Sequence, residues 1–537
     1  MERSAAPSRS VTARSVWLSG FMGSGKTTVG RAVAARLAVP FVDLDETLER
    51  ETGRTIAQWF EEDGEAAFRA REAQIAMRLL AQTDRQVVAA GGGTLVDARV
   101  RARAMESALV VTLHVRIREA LERIGTGRHR PLAAGGDGQL AELLRARQGV
   151  YAIAHAGVRS GGRPIEAVVD DLVHYAAGVA VPVSLGPRSY PVHVERGTLG
   201  SIGRRVAGWS PRGPVAVISD RGVPREIRTT VLRSLRRAGL TPISMPVAPG
   251  ERSKSLKAAT RLWNRILGAG LGRPDPVVAV GGGVATDLAG FVAATALRGM
   301  PIFHVPTTVL GQLDAAIGGK TAVDHASGKN RIGAFHAPRL VLADPDVLAS
   351  LSDRDRIAGL AEAVKCGLAL DAALLETCTA RAAALRAGDP DALEAVIRGA
   401  AAVKAQVVSD DEREEDDGIG PGRVVLNLGH TVGHALEAAG GFERWLHGEA
   451  VALGLVAAAR LSVALVGAPR DLPAQVGGVL AALGLPVDLG PLDERTAAFL
   501  PADKKAAGDR VRLVLLKGVG VPVLMEVAVA DVVRILS

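Results

Sequence analysis

One octapeptide constrains the N-terminal part of this chain more than any other feature. Gly20-Phe-Met-Gly-Ser-Gly25-Lys26-Thr27 follows a short apolar run at 16–19 and precedes a stretch of helical patterning. The spacing is G-x-x-x-x-G-K-[ST] in a strand–loop–helix context. Glycines at such a turn let successive backbone N–H groups converge on a phosphate, and the helix start adds positive potential. Lys26 supplies a point charge at the terminal phosphates, and the Thr27 hydroxyl suits Mg²⁺. Gly23, Ser24, Gly25, Lys26, Thr27 and Thr28 are therefore the candidate nucleotide-binding residues.

The rest of the first block, about 11–175, alternates apolar runs (16–19, 87–90, 109–115) with Arg-, Glu- and Ala-rich helical stretches. That alternation predicts an α/β unit with a parallel sheet. With 537 residues and about 150 residues per domain, three or four folding units are expected. Pro182, Gly186 and Pro187 mark a softer stretch, and the predicted organisation is a first domain at 1–175, a linker at 176–190, an α/β half at 191–345 and a mostly helical half at 346–537. Apolar runs at 215–219, 277–280, 302–305 and 340–343 support the second α/β part. Beyond 345 only 511–516 reads clearly as a strand.

Composition narrows the class. Aromatics are 3%, so the cores are built from small aliphatic side chains. Two cysteines, Cys366 and Cys378, cannot form a disulfide scaffold or a four-cysteine zinc site and are read as core residues of a protein in a reducing cytoplasm. The net charge of +8 is spread along the chain without a Lys/Arg block. Anionic small substrates account for that excess better than nucleic acid. Residues 1–14 lack the apolar core of a secretion signal. The most apolar stretch, 450–468, is interrupted by Arg460 and reads as a buried helix with no membrane role.

Phe41-Val-Asp43-Leu-Asp45 ends the next strand, where alternation puts Asp43 and Asp45 on one side. Two carboxylates there suit a metal shell and the hydroxyl of a phosphoryl acceptor. Arg69, Arg123, Arg130 and Arg147 are candidate anion forks. Arg130 lies in a Gly-rich stretch, 125–138, that reads as a lid. Gly91, Gly92 and Gly93 end an apolar run, as do Gly281, Gly282 and Gly283 later.

Taken together, Gly20–Thr28, Val42-Asp-Leu-Asp45, Phe68-Arg69 with Glu72, the glycine triplet, Arg130-Pro-Leu132, and Arg147 followed by Tyr151 resemble shikimate kinase over nearly the whole first block. The resemblance implies that Asp45, Arg69, Arg147 and Gly91, Gly92 and Gly93 bind shikimate. It implies that Thr27 and Asp43 arrange Mg²⁺, that Arg123 and Arg130 sit around ATP, and that Lys26, Asp45 and Arg130 act in phosphoryl transfer. Gln148-Gly149 departs from the family's usual Ala-Pro step.

In the second block three of the eleven histidines lie close in sequence: His430 and His434, four apart on one helix face, and His447. A three-ligand metal site needs an acid as well, and Glu362, inside an apolar helical run, is a candidate. Buried histidines with hydrogen-bond partners are the other reading of the same residues. The strand 277–280 running into Gly281-Gly-Gly-Val284-Ala-Thr-Asp287 fits a pyrophosphate turn, and Pro249-Gly-Glu251-Arg-Ser-Lys254 is a second cofactor loop candidate. Arg298, Thr307, Thr308, Asp314, Lys320, Lys329 and Asn330 cluster beside Gly318, Gly319 and Gly328, in a pattern that suits a phosphate and carboxylate pocket.

These segments, with Gly359–Gly367, Lys404–Glu414, Leu426–Ala435, His447–Ala450 and Asp503-Lys504-Lys505, closely resemble 3-dehydroquinate synthase from about 183 onward. The resemblance implies a divalent metal, zinc by expectation, on Glu362, His430 and His447. It implies NAD on Glu251, Lys254, Gly282, Gly283, Val284, Asp287, Thr307, Thr308 and Lys329. It implies substrate on Arg298, Asp314, Lys320, Asn330, Lys404, Arg423, Asn427 and a lysine of Lys504-Lys505, with Lys320, Glu414 and His434 serving catalysis. The acidic stretch 415–422 is longer than the family pattern and bears on the placement of Glu414.

The expectation is therefore an α/β chain: a P-loop kinase domain with a parallel sheet, then a two-part synthase with a Rossmann-like half and a helical half. The expected reactions are ATP-dependent phosphorylation of shikimate and conversion of 3-deoxy-D-arabino-heptulosonate 7-phosphate to 3-dehydroquinate. Small molecules are the expected partners, without nucleic acid or membrane, and the family suggests a homodimer through the second block. Alternatives are another sugar-phosphate cyclase or a polyol dehydrogenase in the second block, or a scaffold with one dead block.

Overall fold

The computed structural model describes residues 14–124, 136–210, 212–326, 328–415, 422–500 and 510–537. The chain divides into two compact units, Met1–Pro191 and Val192–Ser537.

The first unit is built on β1 (Ser15–Ser19), β2 (Phe41–Asp43), β3 (Val87–Ala89), β4 (Ala108–His114) and β5 (Ala156–Arg159), in the order β2-β3-β1-β4-β5. Every pairing is parallel. The strands read as unbroken apolar runs because both faces are covered. Val16 and Leu18 join Leu109, Val111 and Leu113 in a core under the helices Lys26–Leu37 and Ile165–Ala176. Trp17, Val88 and Val110, pointing the other way, pack with Leu48, Phe68, Ile75 and Ala104 from the helices opposite. No face is left for polar groups, so those cluster where strands end.

The expected linker, 176–190, contains a short strand, β6 (Ala180–Val183), and a 3-10 turn at Gly186–Arg188. The second unit continues with β7 (Tyr190–Val194), β8 (Gly213–Asp220), β9 (Leu240–Val247), β10 (Val277–Gly281) and β11 (Ile302–Pro306). A hairpin of β12 (Lys320–His325) and β13 (Gly328–Phe335) precedes β14 (Leu340–Ala343). The main sheet runs β7-β14-β11-β10-β8-β9, parallel throughout. The helix Gly283–Thr295 covers it with small residues: Ala289, Val292 and Ala293 pack on Ala216, Ile218 and Ala279.

From Asp353 the fold is helical. The apolar stretch singled out in the sequence is the helix His447–Val466, long and apolar enough to cross a membrane, yet 67% of its most apolar window is buried inside the protein. It packs against the helices Asp353–Leu370 and His430–Ala439. The late strand expected at 511–516 is β15 (Arg510–Gly518), paired antiparallel with β16 (Val521–Ala528). The second strand was illegible because its burial does not alternate: it is mostly half-buried, with Val527 alone fully in the core.

The hairpin is tied to this helix by one hydroxyl. Ser462 Oγ accepts the Leu516 amide at 2.9 Å and donates to the Ala458 carbonyl at 2.6 Å, in a fully buried setting. Ser462→Ala would strand that amide, at about 1–3 kcal/mol. Denaturant unfolding of the variant is expected to show that loss; an unchanged midpoint would mean the hairpin docks by apolar contact alone.

Candidate active sites

The loop after β1 wraps into a cradle. Gly23 has φ 76°, and a Cβ there would meet the Ala120 carbonyl at 2.7 Å. Lys26 Nζ folds back and donates to the Gly20 and Phe21 carbonyls at 2.8 and 3.1 Å. Arg123 donates to the Gly23 and Ser160 carbonyls, both at 3.3 Å, bracing the loop from the far side. Thr27 Oγ1 donates to Asp43 Oδ2 at 2.7 Å.

One sequence expectation needs correction here. Asp43 is the last residue of β2, and Asp45 lies in the first turn of the helix Leu44–Thr52, outside the strand. The reason is a cap: Asp43 Oδ1 accepts the Asp45 and Glu46 amides at 3.1 and 3.4 Å and so starts the helix early. The other carboxylate oxygen remains for Thr27. Asp45 still reaches the glycine triplet.

That triplet is where the first unit's charged groups meet. A Cβ on Gly91 would lie 2.3 Å from Glu72 Oε1 and 2.9 Å from Asp45 Oδ1, and one on Gly93 would lie 2.6 Å from Arg69 Cζ. Arg147 and the Tyr151 hydroxyl donate to the Gly92 carbonyl at 3.1 and 2.6 Å. Glu72, buried, holds Arg69 at 2.7 Å and accepts the Thr94 hydroxyl at 2.7 Å. Burial works against the charge on Arg69, but Glu72 and Glu65 raise its pKa. The result is a pocket of two arginines, Arg69 and Arg147, and two acids, Asp45 and Glu72, around the glycine triplet. Arg130 and most of the expected lid, 125–135, lie outside the described residues.

In the second unit three loops at strand ends come together. Gly282 precedes the helix Gly283–Thr295, and a Cβ on it would come within 3.0 Å of Thr308 Cγ2. One on Gly283 would come within 3.2 Å of the Ala315 methyl, and the next residue, Val284, is half-buried. The Thr307 amide donates to the Gly281 carbonyl at 3.0 Å, setting β11's exit beside β10's. Lys254, buried, donates to Asp287 at 2.5 Å, one turn into the helix. Burial raises Asp287 to about 6, with Lys254 pulling the other way. Glu251 opens the 3-10 turn before Lys254. Bare backbone, a helix N-terminus and a lysine fit a dinucleotide.

A second cluster sits under the β12–β13 hairpin. Lys320 donates to Glu414 at 2.5 Å, and Asn427 donates to the other Glu414 oxygen at 3.1 Å. Arg423, buried, donates to the Gly318 and Glu412 carbonyls at 3.1 and 2.6 Å. Gly318 has φ 100°, and a Cβ there would strike the Arg423 guanidinium at 2.3 Å. Lys404 donates to Asp314 Oδ1 and to its carbonyl at 2.5 and 2.7 Å. Burial first, then Arg423, lowers the pKa of both lysines, Lys320 directly and Lys404 after the opposing pull of Asp314. Asn330 and Glu414 adopt φ 56° and 59°, left-handed backbone that non-glycine residues seldom hold. Arg298 also has φ 62°, but it stands exposed with no side-chain partner among the described residues. Lys504 and Lys505, and 416–421 of the acidic stretch, lie outside the described residues.

The metal-ligand candidates do converge. One ligand atom each from Glu362, His430 and His447 lies within 4.8 Å of the others. Glu362 Oε1 is 3.4 Å from Nε2 of both histidines. Glu362 is fully buried, and neither of its oxygens accepts a hydrogen bond, although Lys365 makes ion-pair contact with it. Burial would raise the Glu362 carboxyl, but Lys365 and the two histidines outweigh it and hold it well below the usual carboxylate range. Burial and Lys365 lower His430 to about 3, with Glu362 pulling the other way. Two imidazoles and an otherwise unsatisfied carboxylate are the donor set of a catalytic zinc site with an open position, and the residues fit a divalent ion. His434 is outside this trio: it is exposed, and its ring lies 5.2 Å from that of His430.

Two residues here were not assigned from sequence. Lys365 lies one turn after Glu362 and reads in sequence as a helix-surface charge; only burial reveals it. Glu437 hydrogen-bonds His447 Nδ1 at 3.1 Å. Its signal was an acid three residues after His434 and seven after His430, on the same helix face.

The family model for shikimate kinase matches residues 22–177. Those for the 3-dehydroquinate synthase N-terminal and C-terminal parts match 244–358 and 359–506. The 3-dehydroquinate synthase of Acidithiobacillus ferrooxidans is 42% identical over 339 residues, 63% of this chain and 92% of that protein. A solved 2-deoxy-scyllo-inosose synthase, complexed with carbaglucose-6-phosphate, NAD⁺ and Co²⁺, is 28% identical with a TM-score of 0.60, covering 66% of this chain and 99% of its own. A 2-epi-5-epi-valiolone synthase from Streptomyces hygroscopicus, with NAD⁺ and Zn²⁺ bound, is 26% identical with a TM-score of 0.58, covering 65% and 95%.

The Asp314–Lys404 pair allows a test of the charge balance under the hairpin. Asp314→Asn leaves Lys404 buried without a counter-charge and is expected to cost about 3–5 kcal/mol. Adding Lys404→Met should restore most of that in urea unfolding. Equal stability of the single and double variants would show that the pair is not coupled.

Proposed function

We propose a two-reaction enzyme, on the premise that the chain belongs to the 3-dehydroquinate synthase family through its second unit and carries a shikimate kinase domain ahead of it. The first unit transfers the γ-phosphoryl of ATP to the 3-hydroxyl of shikimate. The second converts 3-deoxy-D-arabino-heptulosonate 7-phosphate to 3-dehydroquinate and releases phosphate. The observation that carries this reading is that each unit assembles its own charged pocket, the first at the ends of parallel strands and the second among the helices Asp353–Leu370, His430–Ala439 and His447–Val466. In one, Asp45, Arg69 and Arg147 gather on bare glycines beside a phosphate cradle; in the other, the half-buried His430 and His447 meet at the buried Glu362.

In the kinase, Arg69 and Arg147 hold the shikimate carboxylate and ring. Asp45 orients the attacking hydroxyl and takes its proton as the new P–O bond forms and the bond to the β-phosphate oxygen breaks. Lys26 leaves the Gly20 and Phe21 carbonyls for the phosphate oxygens. Thr27 and Asp43, already hydrogen-bonded to each other, would hold Mg²⁺. Such transfer needs position and charge and no covalent nucleophile.

In the synthase, Glu362, His430 and His447 would hold the divalent ion. The turn at Gly282 and Gly283, with Glu251, Lys254, Asp287, Thr307 and Thr308, would hold NAD. When bound, the two supply Lewis-acid polarisation of a substrate oxygen and reversible hydride acceptance. Lys320, Lys404, Arg423 and Asn427 hold the substrate's phosphate and carboxylate, and Glu414 and His434 move its protons. Burial and Arg423 depress the pKa of Lys320, and Glu414 opposes that shift, so a substrate anion would take Glu414's place at the ammonium.

A second reading has one observation behind it: the solved relatives at 28% and 26% identity make other cyclic products. The 42% relative favours dehydroquinate. Phosphate release from the heptulosonate phosphate, with dehydroquinate as product, decides between them. The chain is further proposed to work in the cytoplasm as a homodimer through its second unit, which sedimentation tests.

Lys26→Ala should lower shikimate phosphorylation by about 100-fold or more while leaving phosphate release intact. His430→Ala should do the reverse. Loss of both activities in either variant would contradict two separate sites. Gly93→Ala pushes on Arg69 and is expected to raise the KM for shikimate about tenfold, the worth of one charge-assisted hydrogen bond, with the KM for ATP unchanged. Equal changes in both would place Arg69 outside the shikimate pocket.

A further inference from the structure

Glu437 is a buried acid that the reaction scheme does not use. It lies on the helix His430–Ala439, 6% exposed, with Oε2 3.1 Å from His447 Nδ1. The opposite ring nitrogen of His447, Nε2, is the one 3.4 Å from Glu362. An imidazole that donates from Nδ1 to a carboxylate has one tautomer and one ring orientation, and it offers only Nε2 to anything else. Glu437 is itself held. Its other oxygen is 3.5 Å from Lys329 Nζ on β13, and that ammonium stands 4.3 Å over the ring of Phe442. Phe442 is fixed by its amide, which donates to the Glu437 carbonyl at 2.8 Å, and by a left-handed φ of 59°.

We propose that Glu437 is a positioning residue for the divalent ion: it aims Nε2 of His447 at the Glu362–His430 pair, and Lys329 with Phe442 clamps it there. Metal-bound histidines commonly donate their second N–H to a carboxylate, and loss of that partner weakens metal binding about 10–100-fold. The proposal rests on the metal reading above. The same residues suggest a rival use, because His434, Glu437 and His447 also lie close enough to share a cation. The hydrogen bond speaks against it: an Nδ1 that donates to Glu437 has no lone pair for a second ion.

The test uses the full chain stripped by a chelator and titrated with Co²⁺ alone, read by visible absorption, by chelator competition and by metal content. Wild type should hold one Co²⁺ per chain. Glu437→Ala should bind it about 10–100-fold more weakly with shifted absorption bands. Glu437→Gln, which keeps the size and an acceptor oxygen, should fall between the two and decides the matter if the alanine variant does not fold. Wild-type affinity and spectrum in the glutamine variant and in any folded alanine variant would overturn the positioning role. Two ions per wild-type chain, with one lost in Glu437→Ala, would overturn it in favour of direct ligation. No Co²⁺ on wild type would overturn the metal reading itself.

Discussion

A parallel sheet covered on both faces has polar backbone to spare only where its strands end, and both units are organised by that constraint. In the first, Val16 and Leu18 face one helical layer while Trp17 faces the other. Nothing along the strand can accept a charge. The loop Gly20–Gly25, Asp43 and the glycine triplet therefore all lie at or just past the carboxyl ends of β1, β2 and β3. The second unit repeats the arrangement with Lys254, Gly281–Gly283 and Thr307 after β9, β10 and β11. Small core residues such as Ala216, Ala279 and Ala289 let these layers approach closely.

Charge in the second unit had to be buried as well as placed. Lys404 and Arg423 are almost wholly enclosed, and so are Lys365 and Glu362. Isolated, each would be too costly to hold in its charged form. Each positive group has a designated acceptor: Asp314 for Lys404, Glu362 for Lys365, and the Gly318 and Glu412 carbonyls for Arg423. The balance leaves Glu362 short, with a cation on one side and no hydrogen bond to either oxygen. A carboxylate in that position favours a second cation, and the two imidazole nitrogens at 3.4 Å mark the place for it.

The α/β class and the two blocks were legible in the sequence, because motif spacing encodes strand ends directly. Gly20 to Thr27 and the two glycine triplets needed no tertiary knowledge, whereas the His430–His434 spacing pairs one member of the trio with a ring that lies outside it. What failed did so for physical reasons. Asp45 was read onto a strand because alternation cannot foresee a side-chain cap, and Asp43 ends β2 by making one. The strand Val521–Ala528 was missed because it is only half-buried and lacks an alternating face. Lys365 and Glu437 were passed over because charged residues on helices are usually solvated, and burial is decided by which helices pack together.

Backbone strain gives an independent pointer to the second unit's working surface. Six non-glycine residues among those described hold positive φ: Ala38, Leu297, Arg298, Asn330, Glu414 and Phe442. A left-handed L-residue costs roughly 1–2 kcal/mol and persists only where something else fixes it. For Glu414 the fixing groups are Lys320 and Asn427; for Asn330 it is the Asp324 carboxylate, which accepts its amide at 2.9 Å. Phe442 is fixed by the Glu437 carbonyl and carries the Lys329 ammonium on its ring. Glu414 thus sits among the polar groups beside Arg423 and Lys404, and Phe442 is tied through Glu437 to His447 of the trio. Asparagine tolerates this conformation, so Asn330 says little, but Glu414 and Phe442 are residues that ordinary turns seldom place there. Glu414 and Phe442 are therefore held at a cost, and the groups that hold them, Lys320, Asn427 and Glu437, are among those from which the second unit's chemistry was inferred.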